Sequence, residues 1–85
     1  MTTQTPHKID IYSTPTCHFC HMAKDFFSTY DVPFTDYNVA SDRDKLKEMV
    51  AKSGQMGVPV IVVDNKDVIV GFDRDHLAEL LGIPA

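Results

Sequence analysis

The run Val58–Val63 constrains the fold more than any other segment. Five of its six residues are Val or Ile, with Pro59 the exception. A β-branched run without polar alternation reads as a strand covered on both faces. A half-exposed strand would instead alternate apolar and polar residues, as Lys8 to Ser13 does with Ile9 and Ile11 set against Asp10 and Tyr12. The covering layers must be helices, and three stretches of the chain supply them.

The first helix follows Thr14-Pro15-Thr16, where proline ends the first strand. Phe19, Met22, Ala23, Phe26, Phe27 and Tyr30 form its apolar stripe, with His18, His21, Lys24, Asp25 and Ser28 off it. Asp31-Val32-Pro33 breaks it, and Phe34 to Val39 reads as a second strand. A second helix is capped by Ser41 or Asp42, buries Leu46, Met49 and Val50, and stops at Gly54. After the Val58–Val63 strand, Asp64-Asn65-Lys66-Asp67 turns the chain and Val68-Ile69-Val70 returns as a hairpin partner. Asp73 caps a last helix with Leu77, Leu80 and Leu81 inward, ended by Gly82 and Pro84. The predicted order is β-α-β-α-β-β-α. Its first three elements form a parallel unit and its hairpin an antiparallel half, so the sheet is mixed, four-stranded and flanked by helices.

A chain of 85 residues is enough for a single domain. Residues 1–7 read as a flexible tail and residues 8–85 as the domain. The net charge of −4 and the lack of any basic block argue against a nucleic-acid partner. The N-terminal stretch lacks the basic start and apolar run of a signal peptide, and no stretch is apolar enough to span a bilayer. The expectation is a cytoplasmic monomer without a membrane partner.

In a reducing compartment a structural disulfide is uncommon, so the two cysteines, Cys17 and Cys20, ask for a chemical role. Their spacing at a helix start lets them close a small disulfide ring. Cys17 stands among unpaired backbone N–H groups at the positive end of the helix dipole, which favours the nucleophilic thiolate. Cys20 lies one turn further in, where it should be less exposed and keep a more ordinary pKa. Cys17 is then the group that attacks a substrate disulfide, and Cys20 the group that resolves the mixed disulfide. A protonated His18 beside Cys17 would favour the thiolate, and His21 is a second candidate for such tuning. The alternative for both is a solvated helix face. Phe19 is either an apolar platform for substrate or the first core residue of the stripe. Zinc is the competing use of Cys17, His18, Cys20 and His21. A tetrahedral site usually draws its second ligand pair from further along the chain, no other Cys exists, and only His7 and His76 could help. No metal is therefore expected.

Three segments carry a resemblance that spans Ile9 to Ile83. Tyr12-Ser13-Thr14-Pro15-Thr16-Cys17-His18-Phe19-Cys20 resembles the strand-to-CxxC loop of glutaredoxin-like redoxins. Gly54-Gln55-Met56-Gly57-Val58-Pro59-Val60 is similar to their segment whose proline is cis and faces the cysteines. Val70-Gly71-Phe72-Asp73 is similar to the glycine turn before their last helix. The resemblance implies an α/β thioredoxin fold and a dithiol–disulfide oxidoreductase. It further implies a substrate groove lined by Val58 and Pro59, with Phe19, Gly71, Phe72 and Asp73 beside it. A cis X-Pro bond exposes the preceding backbone for pairing with an extended peptide or glutathione. No bound cofactor is implied beyond the redox-active Cys17–Cys20 pair itself.

The departures from the family pattern concern glutathione. Thr14 and Met56 stand where glutathione-using members usually carry basic residues. Phe72 replaces the second glycine of a pair, and Arg74 stands where an acid usually holds the tripeptide's amine. A Gly-Phe turn with a nearby Arg is closer to redoxins served by thioredoxin reductase, including those that supply ribonucleotide reductase. Strong oxidants and isomerases of this fold often carry His just before the second Cys, whereas here His18 follows the first. The expected partners are a disulfide-containing protein substrate and thioredoxin reductase as electron donor. The alternatives are a glutathione-dependent glutaredoxin and an iron–sulfur or metal-binding redoxin.

Overall fold

The computed structural model describes residues 7–83. Its elements run β1 (Ile9–Ser13), α1 (His18–Thr29), β2 (Thr35–Asn38), α2 (Arg43–Ser53), β3 (Val60–Val63), β4 (Asp67–Val70) and α3 (Arg74–Leu81). The strands lie in the order β2-β1-β3-β4. β1 is parallel to β2 and antiparallel to β3, and β3 is antiparallel to β4. This is the mixed four-stranded α/β arrangement of the thioredoxin fold.

Every residue of β3 is buried, because the sheet has a hydrophobic layer on each side. On one side Ile9, Ile11, Ile61, Val63 and Ile69 meet Ala23, Phe26 and Phe27 of α1 and Leu77, Ala78 and Leu81 of α3. On the other, Tyr12, Val60 and Val62 meet Met49 of α2 and Val39. β1 therefore departs from its alternating sequence. Asp10 and Tyr12 do not face water; all five residues of the strand are buried. Their polar atoms are matched instead. Tyr12 Oη donates to Glu48 at 2.5 Å, and Tyr37 Oη donates to Asp10 at 3.4 Å.

The helix ends follow their capping residues. Asp42 and Asp73 accept from the backbone N–H groups of Lys45 and His76, while Gly54 and Gly82 close α2 and α3 at φ of 74° and 70°. A left-handed residue at these positions satisfies late carbonyls at no steric cost to glycine. The stripe of α1 is narrower than its apolar residues. Phe19 and Met22 stay 57% and 39% exposed, and Cys20 takes the buried place beside Ala23, Phe26 and Phe27. β2 is shorter than the apolar limits Phe34 and Val39, both of which pack against the cores from flanking turns. β3 starts at Val60 rather than Val58, after a cis Val58–Pro59 bond. In α3 it is Ala78, with Leu77 and Leu81, that is buried, and Leu80 packs at the margin. Positions 1–6 of the expected tail and Pro84 lie outside the described residues, whereas His7 Nδ1 bonds Asp64 at 2.8 Å.

Candidate active site

The pairing of β1 with β3 decides which segments meet. Tyr12 lies opposite Val60, so the loop leaving β1 toward Cys17 and the Val58–Pro59 segment entering β3 share one edge of the sheet. Val60 also lies opposite Val70, and the Gly71 N–H donates to the Pro59 carbonyl at 2.8 Å. Residues far apart in sequence, Cys17, Pro59 and Gly71, are thus gathered on that edge by strand register.

Cys17 is the N-cap of α1. Its backbone is extended (φ −84°, ψ 114°), and its Sγ accepts the Cys20 N–H at 3.2 Å. The side chain of an N-cap ordinarily satisfies one of the free N–H groups of the first turn, and here a thiol does that. The turn before it closes with the Cys17 N–H donating to the Thr14 carbonyl at 3.3 Å. Cys17 is half-buried and Cys20 completely buried, and both are free thiols. The Cys20 thiol does not stay ordinary: burial first, and the bond with Cys17 second, push it up to about 12, against the opposing pull of a Thr14 backbone contact and of the Lys24 charge.

The two histidines are placed differently. His21 Nε2 donates to the Pro15 carbonyl at 2.9 Å and so ties the loop to α1. His18 is exposed and meets Phe19 edge-on, with ring centroids 5.6 Å apart. Among the described residues neither ring hydrogen-bonds Cys17, and no three His, Cys, Asp or Glu side chains group to hold a metal ion. The half-buried Phe72 turns inward against Phe26, centroids 5.8 Å apart. With Met22, Phe26 and Arg74 it lines a cleft of about 300 Å³ between α1 and α3. Asp73 is exposed and occupied as the α3 cap.

Sequence reasoning missed Gln55. Its side chain folds around Gly57, accepting the Gly57 N–H at 2.6 Å and donating to the Gly57 carbonyl at 3.1 Å. Ser53 Oγ supports it by donating to the Gln55 carbonyl at 3.0 Å. The approach to Val58–Pro59 is therefore held by side chains with no distinctive spacing.

Comparison with known proteins agrees with this geometry. The glutaredoxin family model matches residues 9–68. The chain belongs to the glutaredoxin family. It is 42% identical over 73 residues to a glutaredoxin-like 8.6 kDa protein from the rubredoxin operon of Clostridium pasteurianum, covering 86% of this chain and 96% of that one. It is 33% identical over 60 residues to glutaredoxin 3 of Escherichia coli, covering 71% of this chain and 72% of that one. Among solved structures, NrdH-redoxin from Escherichia coli superposes with a TM-score of 0.76 at 25% identity, over 86% of this chain and 93% of that one. This glutaredoxin is a thiol–disulfide oxidoreductase, and its two free cysteines, Cys17 and Cys20, stand together at the start of α1.

Proposed function

We propose that this glutaredoxin reduces protein or small-molecule disulfides with Cys17 as nucleophile and Cys20 as resolving thiol. It is then re-reduced by a thioredoxin-reductase-type flavoenzyme in the cytoplasm. One observation carries the division of labour: Cys17 Sγ sits at the open end of α1 on an N–H donor, and Cys20 lies sealed beneath it. The Cys17 thiolate attacks one sulfur of the substrate disulfide, and the other leaves as a thiolate and takes up a proton. Cys20 then loses its proton and attacks Cys17 Sγ. The substrate sulfur departs reduced, and Cys17–Cys20 is left as a disulfide holding the two oxidising equivalents. Two electrons and two protons from the donor restore the dithiol. Val58, Pro59 and Gly71 border the substrate on the shared sheet edge, with exposed Phe19 as an apolar contact and Phe72 and Asp73 flanking the glycine turn.

The choice of donor rests on charge. Glutathione offers two carboxylates and one amine, and charge-assisted bonds to such groups are each worth about 1.5–3 kcal/mol when sheltered. Here the half-buried Thr14 and the exposed Met56 offer no cation. The Arg74 guanidinium lies 5.9 Å from the Phe26 ring centroid, over the α1–α3 cleft. Three contacts each weakened by about 1 kcal/mol amount to roughly a hundredfold in affinity. The similar NrdH-redoxin is described as having a thioredoxin-like activity profile, which supports the same donor class. Two NADPH-coupled assays on one disulfide substrate test this, one with thioredoxin reductase and one with glutathione and glutathione reductase. Turnover should be efficient with the first; efficient turnover only with the second overturns the donor assignment.

A further inference from the structure

The proposed cycle leaves one step without a helper: a fully buried Cys20 must give up its proton before it can attack. Lys24 is four residues further along α1, and side chains at that spacing share one face of a helix about 5–6 Å apart. Cys20 is completely buried, and the Lys24 side chain is three-quarters buried. A lysine turned inward needs an anchor, and this one has two in series. Its Nζ pairs with Asp36 Oδ2 of β2 at 2.7 Å, and Asp36 Oδ1 accepts from Ser13 Oγ at 2.6 Å. Ser13 is buried at the end of β1, where the loop to Cys17 begins.

We infer that Lys24, fixed by Asp36 and Ser13, is the positioning residue whose charge favours the Cys20 thiolate during resolution of the mixed disulfide. The inference rests on the dithiol reading above. Cys17 raises the Cys20 thiol and Lys24 lowers it. Once Cys17 is in a mixed disulfide it carries no charge, so the opposing Cys17 contribution disappears while that of Lys24 remains. Asp36 serves two ends. It holds the ammonium in place, and its own negative charge moderates the field that reaches Cys20.

The pair gives opposite expectations for its two members, which a merely structural bridge would not. With a symmetrical aromatic disulfide as probe, stopped-flow absorbance follows two thiolates. The first is released as Cys17 is modified, the second as Cys20 resolves. In Lys24→Met the second phase should slow about three- to tenfold near neutral pH, its acid limb moving up by up to about one unit. Lys24→Arg should stay within about twofold of the parent protein. Asp36→Asn keeps a carbonyl acceptor for Lys24 and removes the countercharge, so its acid limb should move down. If Cys20→Ser still shows the second phase, the dithiol reading fails. If Cys20→Ser lacks it but Lys24→Met keeps the parent profile, the Lys24 inference alone is overturned. A shift of Asp36→Asn in the same direction as Lys24→Met likewise overturns it.

Discussion

In the folded protein, iodoacetamide should modify Cys20 at least a hundredfold more slowly than in the unfolded chain. The alkylating species is the thiolate. An ordinary thiol near 8.5 is about 3% ionised at about pH 7. With the Cys20 thiol pushed up to about 12, the ionised fraction falls to about 10⁻⁵, a loss of roughly three thousandfold. Higher basicity makes each thiolate more nucleophilic, with a Brønsted slope of about 0.4–0.5, and returns roughly thirty- to fiftyfold. The net factor is on the order of a hundred, and complete burial of the side chain adds exclusion of the reagent. Pulse labelling followed by peptide mapping, in buffer and in urea, measures both rates on the same sulfur. Labelling of native Cys20 at a rate within tenfold of the urea rate would refute the burial argument and the resolving role with it. The same tight proton has a sign in stability. The folded state keeps it above the usual thiol range while the unfolded chain releases it. This contribution is therefore complete below about pH 9 and is lost as pH rises toward 12.

Two further outcomes test the supports of the site. Tyr12→Phe removes a hydrogen bond to a carboxylate but leaves Glu48 its contact with Lys45 at 3.0 Å, so the cost should be about 1–2 kcal/mol. That is about 4–8 °C in Tm per kcal/mol by calorimetry. The Tyr12 bond, then Lys45, hold the Glu48 carboxyl below its ordinary range, so this stability is present above that range and drains as pH falls through it. The Tyr12→Phe deficit should accordingly shrink in acid; a deficit independent of pH would place the effect in packing. Asp73→Ala should cost about 0.5–2 kcal/mol through loss of the α3 cap. Amide exchange at His76, whose N–H that carboxylate accepts at 3.1 Å, should quicken in the variant.

What the sequence made legible were features that act within a few residues. The Asp42 and Asp73 caps and the Gly54 and Gly82 stops depend on local backbone chemistry, and each stands where the residues indicate; the buried β3 run is there too, two residues shorter at its start than its β-branched limits. Features that depend on what lies across the sheet were not. Asp10 and Tyr12 look like a solvent face until α2 is laid over them with Glu48 as acceptor. Phe19 and Met22 extend the α1 stripe on paper, but Phe19 stands exposed in the first turn of the helix and Met22 borders the cleft between α1 and α3, while Cys20 takes the buried place. Lys24 and Asp36 belong to different elements, twelve positions apart, and nothing in their spacing foretells the ion pair. The CxxC segment itself was readable because its chemistry is local: a helix start, two sulfurs and one turn between them.

The fully buried β3 has a cost in specificity. A strand with one wet face cannot slip by one residue without turning its apolar side to water, but Val60–Val63 is apolar on both faces and carries no such safeguard. Its alignment must be pinned from the ends. At the far end the Asp64 N–H donates to the Lys8 carbonyl at 2.8 Å, the Asp64 carboxylate accepts the Lys8 N–H at 2.8 Å, and His7 adds a third link. The pin is a hairpin corner about 13 Å from Val60 at roughly 3.3 Å per residue. A turn with no chemistry of its own thereby acts as the gauge that sets Pro59 opposite the cysteine loop. Changes at Asp64 would be felt as misplacement of the substrate edge before they were felt as unfolding.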